Sequence, residues 1–523
     1  MKRREREMKY VVMYLLVKSL CPGLWIFMVL IRTLENICSL FTARRDSDNP
    51  TIDNAQVDEE GADSGSQIIV GVANTPILHI PPEILSMIFM LCLPHHSLPR
   101  PNRLEAPLLL CQICWLFSKV ALSTPTLWAS ISIQRAVPRK EFCMTLKEWI
   151  ARSSGCLSFS LTYRKKRSNI KRLVHLLAPH SHRWKDVTIA FPFNVVSDEF
   201  EEAIACGACT LERLTIESIC SVRPYERRYD DFDDSCLDLS MAHRLTEINI
   251  NVDLELDFGN AVLPKVEKMS FSDVRIPLKH FIHCLGHCPA IESFSFNILM
   301  DGSDIGTLGD SIGGYKDITT LPSLRHLVAD FGHRRMGPFC DRLCLPGLGT
   351  LDVTSKHHLR PGAVCDWPHV AELLKRSRAK LERLSLYGNG IGEDALIGCL
   401  QHTPRLNNFT YVQTLTSRMP VDVVARVLTA ANRICMELDS ITLVGWPGWV
   451  APTTTLASLL VEMISSRCNI QQSTADADKE HQYRRCLRRV TIQNELVAKL
   501  LNQPEIAKYV GEGLEIHGVP CTG

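Results

Sequence analysis

Charge of one sign is what this chain lacks: 58 Lys and Arg stand against 57 Asp and Glu, a formal net charge of +1. No global field draws such a chain to nucleic acid or to an anionic membrane, so no nucleic-acid partner is expected. A local basic patch, Arg484, Arg485, Arg488 and Arg489, has no aromatic residue between the arginines on which a base would stack. A solvated charge cluster flanking a strand is the expectation there. No Gly-Lys-Ser/Thr loop is present to cradle a phosphate. Also missing is the short, loop-rich cysteine framework of a secreted scaffold. The 21 cysteines are odd in number, and all but Cys21 and Cys38 are scattered through the chain beyond residue 50. That usage suits reduced thiols in an intracellular protein, where cysteine behaves as a small buried hydrophobe.

What is present is length and apolar content. At 523 residues and 46 % hydrophobic composition the chain can bury more than one core. Tyr10 to Ile31 is an apolar stretch long enough to span a bilayer, though Lys18, Ser19, Pro22 and Gly23 interrupt it. Five basic residues precede it and three follow closely, so as an anchor it would hold the N-terminus in the cytosol and send the cysteine-rich body outside. That conflict favours a partly buried helix, or sequence that does not belong to the mature product; an anchor through residues 10–31 stays the alternative. From Asp46 the chain turns acidic (Asp46, Asp48, Asp53, Asp58, Glu59, Glu60 and Asp63), with no Lys or Arg between Arg45 and Arg100. Such a stretch reads as a flexible linker, because it buries too little apolar surface to offset its ordering entropy.

Structure is expected to resume near Ile77. Ile80-Pro81-Pro82-Glu83 opens a helix, with proline suited to the first turn and an acid suited to the helix dipole. Ile84, Leu85, Ile88 and Phe89 are then expected on one face at helical spacing. The loop His95–Pro101 ends that helix, a second apolar helix is expected over Ala106–Ala121, and Ser123-Thr124-Pro125 breaks it. Ala129-Ser130-Ile131-Ser132-Ile133 closes the segment with the alternation of a strand.

Three of these blocks occur in order: Ile80-Pro81-Pro82-Glu83-Ile84-Leu85 with Ile88-Phe89, then Ala106 to Cys114, then Lys119 to Trp128. Together they resemble the F-box, and in particular the F-box-like domains numerous in mushroom-forming fungi. One departure is that Trp115-Leu116-Phe117 stands where the family places a basic pair and a tryptophan. Phe117 fills the buried aromatic slot, and the outer face becomes more apolar. The resemblance implies docking on a Skp-family adaptor, which bridges to a cullin and its ubiquitin-conjugating machinery. The residues matching the F-box pattern are Pro81, Ile84, Leu85, Ile88, Phe89, Leu109, Leu110, Ile113, Phe117 and Trp128. Truncating Leu85 and Phe89 is expected to abolish docking.

Beyond residue 150 the chain repeats itself. An apolar residue, two spacers, an apolar residue, one spacer and an apolar residue recur at Trp184/Val187/Ile189, Leu211/Leu214/Ile216, Leu245/Ile248/Ile250, Val266/Met269/Phe271 and Ile291/Phe294/Phe296. The series continues at Leu324/Leu327/Ala329, Leu348/Leu351/Val353, Leu381/Leu384/Leu386, Leu406/Phe409/Tyr411, Leu438/Ile441/Leu443 and Leu487/Val490/Ile492. Between Leu211 and Leu438 the starts lie from 21 residues apart (Leu245 to Val266) to 34 apart (Leu211 to Leu245). These intervals bracket the leucine-rich repeat, a short strand with a returning helix or loop. The unit at Leu381 also carries Asn389, in the place of that repeat's asparagine. Amphipathic stretches at Val370/Leu373/Leu374, Val423/Val424/Val427/Leu428 and Leu456/Leu459/Leu460/Met463 are expected to cover the strand layer.

Metal-like spacings are read as structural, and no metal or cofactor is expected. Cys111/Cys114, in an apolar helix, and Cys206/Cys209, opening a repeat unit some ninety residues later, are expected as buried thiols, because structural zinc needs four convergent ligands. His283 and His287 share a helix face, yet no Glu follows His283 as a zinc-protease motif requires.

The fold class expected is therefore α/β, a small helical F-box followed by a leucine-rich-repeat-like solenoid of short parallel strands. Its parts are an apolar segment at 1–45, an acidic linker at 46–75, an F-box-like domain at 76–133, a connecting helical region at 134–180, the array at 181–495 and a tail at 496–523. The expected role is the substrate-recognition subunit of a Skp–cullin–F-box ubiquitin ligase, not an enzyme in itself, in the cytoplasm or nucleus. The alternative is a non-catalytic repeat scaffold, with or without a membrane tether. Alternation along the strands would place Ser293, Ser295, His326, Asp330, Thr350, Asp352, Thr354, Arg383, Ser385 and Tyr387 on one concave surface for an unknown protein substrate.

Overall fold

Two apolar residues separated by one spacer point to the same side of an extended chain, so each repeat offers one narrow inward stripe. A stripe that short closes no core until its neighbours stack on it. The computed structural model shows that stacking. It describes residues 80–520 apart from 95–96, 135–139, 163–166, 192–195, 219–235, 299–317, 333–334, 356–366, 389–390, 414–420, 430–433, 446–452 and 470–486. All the described residues belong to one unit, Pro76–Gly523.

The strands in chain order are β1 (Ser130–Gln134), β2 (Leu157–Thr162), β3 (Trp184–Phe191), β4 (Arg213–Ser218), β5 (Cys236–Asp238) and β6 (Glu247–Asn251). Next come β7 (Glu255–Asp257), β8 (Lys268–Val274), β9 (Ser293–Ile298), β10 (Thr319–Thr320), β11 (His326–Asp330) and β12 (Leu343–Cys344). The last are β13 (Thr350–Ser355), β14 (Arg383–Gly388), β15 (Asn408–Gln413), β16 (Ser440–Val444), β17 (Arg489–Gln493) and β18 (Glu515–Val519). Fourteen of them form one sheet in sequence order, β1-β2-β3-β4-β6-β8-β9-β11-β13-β14-β15-β16-β17-β18. Neighbours are parallel, so every pair needs a crossover, and the intervening helices and loops supply it. The small sheets β5–β7 and β10–β12 form within such crossovers.

The register follows the repeat. Val187, Leu214, Ile248, Met269, Phe294, Leu327, Leu351, Leu384, Phe409, Ile441 and Val490 pair in one continuous row, each buried. A second row of backbone bonds runs just ahead of the strands, from Glu212 N–H on Lys185 O to Glu515 N–H on Arg488 O, both at 2.8 Å. Helices cover the inward stripe: Val370, Leu373 and Leu374 of Trp367–Ser377, and Leu460 and Met463 of Thr453–Asn469, are buried. The molecule is thus an α/β solenoid whose parallel sheet alternates with helices.

Three expected boundaries move. Residues 134–180, expected as a connecting helical region, hold β2 between the helices Lys140–Arg152 and Arg167–Leu177. Residues 496–523, expected as a tail, hold most of the helix Asn494–Leu501, the helix Pro504–Gly511 and the final strand β18. The helix expected over Ala106–Ala121 is broken. Leu110–Gln112 is a single 3-10 turn, Cys114 is extended, and a new helix starts at Trp115–Leu122 with the Cys114 sulfur accepting the Phe117 N–H at 3.5 Å. Among the described residues no helix is long and apolar enough to cross a membrane. Residues 1–45, the linker at 46–75 and Asn389 lie outside the described residues.

Candidate functional site

The first surface is built on the helix Pro82–Leu91. Its residues divide by angle. Leu85 and Phe89 turn inward and are fully buried, with the Phe117 ring edge-on to Phe89 at 5.0 Å between centroids. Ile84, Ile88 and Leu91, with Met87 beside them, fall a turn apart on the opposite stripe. Ile84 is 47 % exposed, Met87 64 % and Leu91 50 %. Trp115, at the start of the neighbouring helix, is 73 % exposed, with the Lys119 amine 5.0 Å above its ring.

Of the residues matching the F-box pattern, Leu85, Phe89, Leu110, Phe117 and Trp128 are core, Ile88, Leu109 and Ile113 are half-buried, and Pro81 and Ile84 face solvent. Sequence reasoning missed Met87, Leu91, Leu104 and Trp115 as exposed apolar groups. Trp115 carried a signal, since it stands where basic residues were expected.

Trp128 ties these helices to the helix Lys140–Arg152 that follows β1. Its indole N–H donates to Ala121 O at 2.9 Å and its ring packs edge-on to Trp149 at 4.9 Å. Ser132 N–H of β1 donates to Pro99 O at 2.7 Å, so the loop after the first helix covers the outer edge of the sheet.

The second surface is the outward face of the strands. All ten concave candidates fall on adjacent strands β9, β11, β13 and β14, in three rows. Ser293, His326, Thr350 and Arg383 pair in one; Ser295, Val328, Asp352 and Ser385 in the next; Asp330, Thr354 and Tyr387 in the third. His326 and Arg383 are exposed, Ser385 is buried, and the rest are half-buried. Burial raises the Tyr387 phenol pKa, the Asp352 carboxylate beside it adds to that, and a bond with Ser385 opposes both.

The histidine cluster does structural work. On the helix Leu278–His287, buried His280 accepts the Leu256 N–H at 3.0 Å through Nε2, and Cys284 Sγ lies 3.3 Å from the same nitrogen. His287 Nδ1 bonds Ala261 O at 2.7 Å, and Phe258 stacks on its ring at 5.3 Å. Burial, then the neighbouring charges of His283 and Lys279, push His280 down to about 4. Cys284 and Cys288 are buried, and desolvation raises both thiols. Arg488 pairs with Asp439 at 3.1 Å and Arg489 with Glu515 at 2.9 Å, each bridging neighbouring strands.

One motif escaped the sequence expectations. Gly309-Asp310-Ser311-Ile312-Gly313 has the spacing of a hydrolase nucleophile elbow, which needs a strand before it and a helix after. It lies outside the described residues. Compared with known proteins, the chain matches no family model and no curated protein.

Proposed function

We propose that this chain is a substrate receptor: its N-terminal helices form an F-box-like module that docks a Skp-family adaptor, and its leucine-rich-repeat-like array holds a protein substrate. The chain then performs no bond chemistry. It raises the effective concentration of a substrate at a ubiquitin-transfer site assembled through the adaptor and a cullin. The observation that carries the reading is the outer stripe of the first helix. Ile84, Met87 and Leu91 stand exposed on a helix whose Leu85 and Phe89 are already buried on the other side. Exposed apolar side chains grouped on one helix face mark a surface made for a partner. The resemblance of the three sequence blocks to the F-box names that partner. The bond from Ser132 to Pro99 fixes the module to the first strand and the packing of Trp128 on Trp149 fixes it to the helix that follows, which suits a receptor that must hold its substrate at a set distance from the adaptor.

Capture of endogenous Skp-family adaptor and cullin by the tagged full chain tests this. Wild type should retain both. Met87→Glu with Leu91→Glu should lose both while keeping its circular dichroism. Absence of the adaptor from the wild-type capture, or equal capture by the variant, would overturn the proposal.

A further inference from the structure

The outward face of the sheet is monotonous for most of its length, and its one adjacent pair of interruptions lies within the candidate substrate surface. Along the middle row every strand carries Ser or Thr, from Ser132, Ser160 and Thr188 to Thr410, Thr442 and Thr491, except at Asn249, Val328, Asp352 and His517. Val328 and Asp352 are adjacent, paired in register across β11 and β13. Val328 is 42 % exposed, an aliphatic patch in a hydroxyl row. Asp352 keeps one carboxylate oxygen buried with no hydrogen-bond partner among the described residues, one of nine such side-chain atoms there. A buried acceptor left unpaired costs about 1–3 kcal/mol, so a site that keeps one calls for a reason.

The neighbouring row sharpens the contrast. Towards the N-terminal end Asp186, Arg213, Glu247 and Lys268 alternate in sign in register, with Arg213 Nε 2.7 Å from Asp186 Oδ1. Towards the C-terminal end Arg489 pairs with Glu515. Between them, from β9 to β16, that row is uncharged apart from His326 and Arg383, and the Arg383 guanidinium bonds nothing among the described residues. The sheet therefore supplies its own counter-charges at both ends and withholds them in the middle.

Resting on the receptor reading above, we infer that the concave face at β11, β13 and β14 takes a basic side chain, Lys or Arg, from an extended segment of the substrate. The aliphatic stem lies on Val328, as long cationic side chains cover apolar surface with the charge kept at its edge. The charged head meets the Asp352 carboxylate, one strand across. Tyr387, diagonal to Asp352 on β14 and half-buried, offers a hydroxyl and an aromatic ring whose face attracts a cation. Arg383 stands two residues before Asp352's partner Ser385, on the same outward face, and selects an acidic residue next to the basic one.

The test is selection of a random-peptide display library on the full chain, with thermal midpoints checked for every variant. Peptides selected by wild type should be enriched in Lys or Arg, and the best of them should bind Asp352→Asn about tenfold more weakly. Val328→Ser, which restores the hydroxyl row on an exposed position, should also weaken it. Thr354→Trp, a block on the same face, separates the two readings. If Thr354→Trp abolishes binding but Asp352→Asn and Val328→Ser leave it unchanged, the concave face binds substrate and the basic-residue inference is wrong. If Thr354→Trp has no effect, or no peptide is selected, the substrate surface itself is misplaced and the inference falls with it.

Discussion

His280 makes the fold sensitive to mild acid in a way that can be worked through. Its Nε2 accepts the Leu256 N–H of β7 at 3.0 Å, so that nitrogen must be unprotonated while β7 sits against the helix. Burial and the nearby His283 and Lys279 lower its pKa from 6.5 to about 4. The carboxylates of Glu255 and Asp257 on β7 face the same helix and raise His283, whose own pKa burial and His287 hold down. A folded-state pKa below the unfolded value means the unfolded segment binds the proton more readily. The stabilisation is then complete above pH 6.5 and drains away as pH falls towards 4. At about 1.4 kcal/mol per pKa unit the loss is roughly 3 kcal/mol across that window.

Hydrogen exchange at the Leu256 amide, corrected for its intrinsic pH dependence, reads this opening directly. His280→Leu should exchange faster at neutral pH, because the Leu256 N–H loses its acceptor at a cost of about 1–3 kcal/mol, and its protection should be nearly flat with pH. A variant that keeps the wild-type pH slope would show that another group titrates and refute the assignment.

Leu85→Ala with Phe89→Ala should unfold the N-terminal helices, at about 2–5 kcal/mol each, so adaptor loss in that variant reports folding and not docking. Thermal melting distinguishes it from Met87→Glu, which should shift stability by no more than about 0.5 kcal/mol. Arg467→Met should destabilise the C-terminal repeats by about 3 kcal/mol in urea titrations, because the buried guanidinium bonds Leu428 O, Cys435 O at 2.8 Å and Ile434 O at 2.9 Å. Gly388→Ala should lower the melting temperature, since φ there is +148° and a Cβ would strike Ser355 O.

The sheet was legible because its constraint is local and recurrent. Wherever an apolar triplet such as Leu381/Leu384/Leu386 occurs, two members must face inward, and the strands from β3 to β17 in the main sheet follow that pattern into register. Strands that break the pattern were invisible. At β18 the corresponding triplet is Gly513, Ile516 and Gly518, with one apolar member. At β2 an exposed Cys156 takes the leading place, and the pairing slips between Leu157 and Phe159. Trp128/Ile131/Ile133 does fit the repeat, yet its tryptophan was already assigned to the F-box pattern. Trp128 serves both, which is why a boundary at residue 133 separates nothing. Core and surface on the first helix were not separable in sequence, because Ile84, Leu85, Ile88 and Phe89 span both its faces. Only the position of Phe117 decides which side is packed.

The central claim, a receptor docked through its first helix, is tested most directly by hydrogen exchange of the full chain with and without purified Skp-family adaptor. The account predicts slowed exchange at residues 82–91 and at the start of the helix Trp115–Leu122, with the amides of β9 to β16 unchanged until substrate is added. Adaptor binding that protects the sheet and leaves the first helix unaltered, or no protection anywhere, would contradict it.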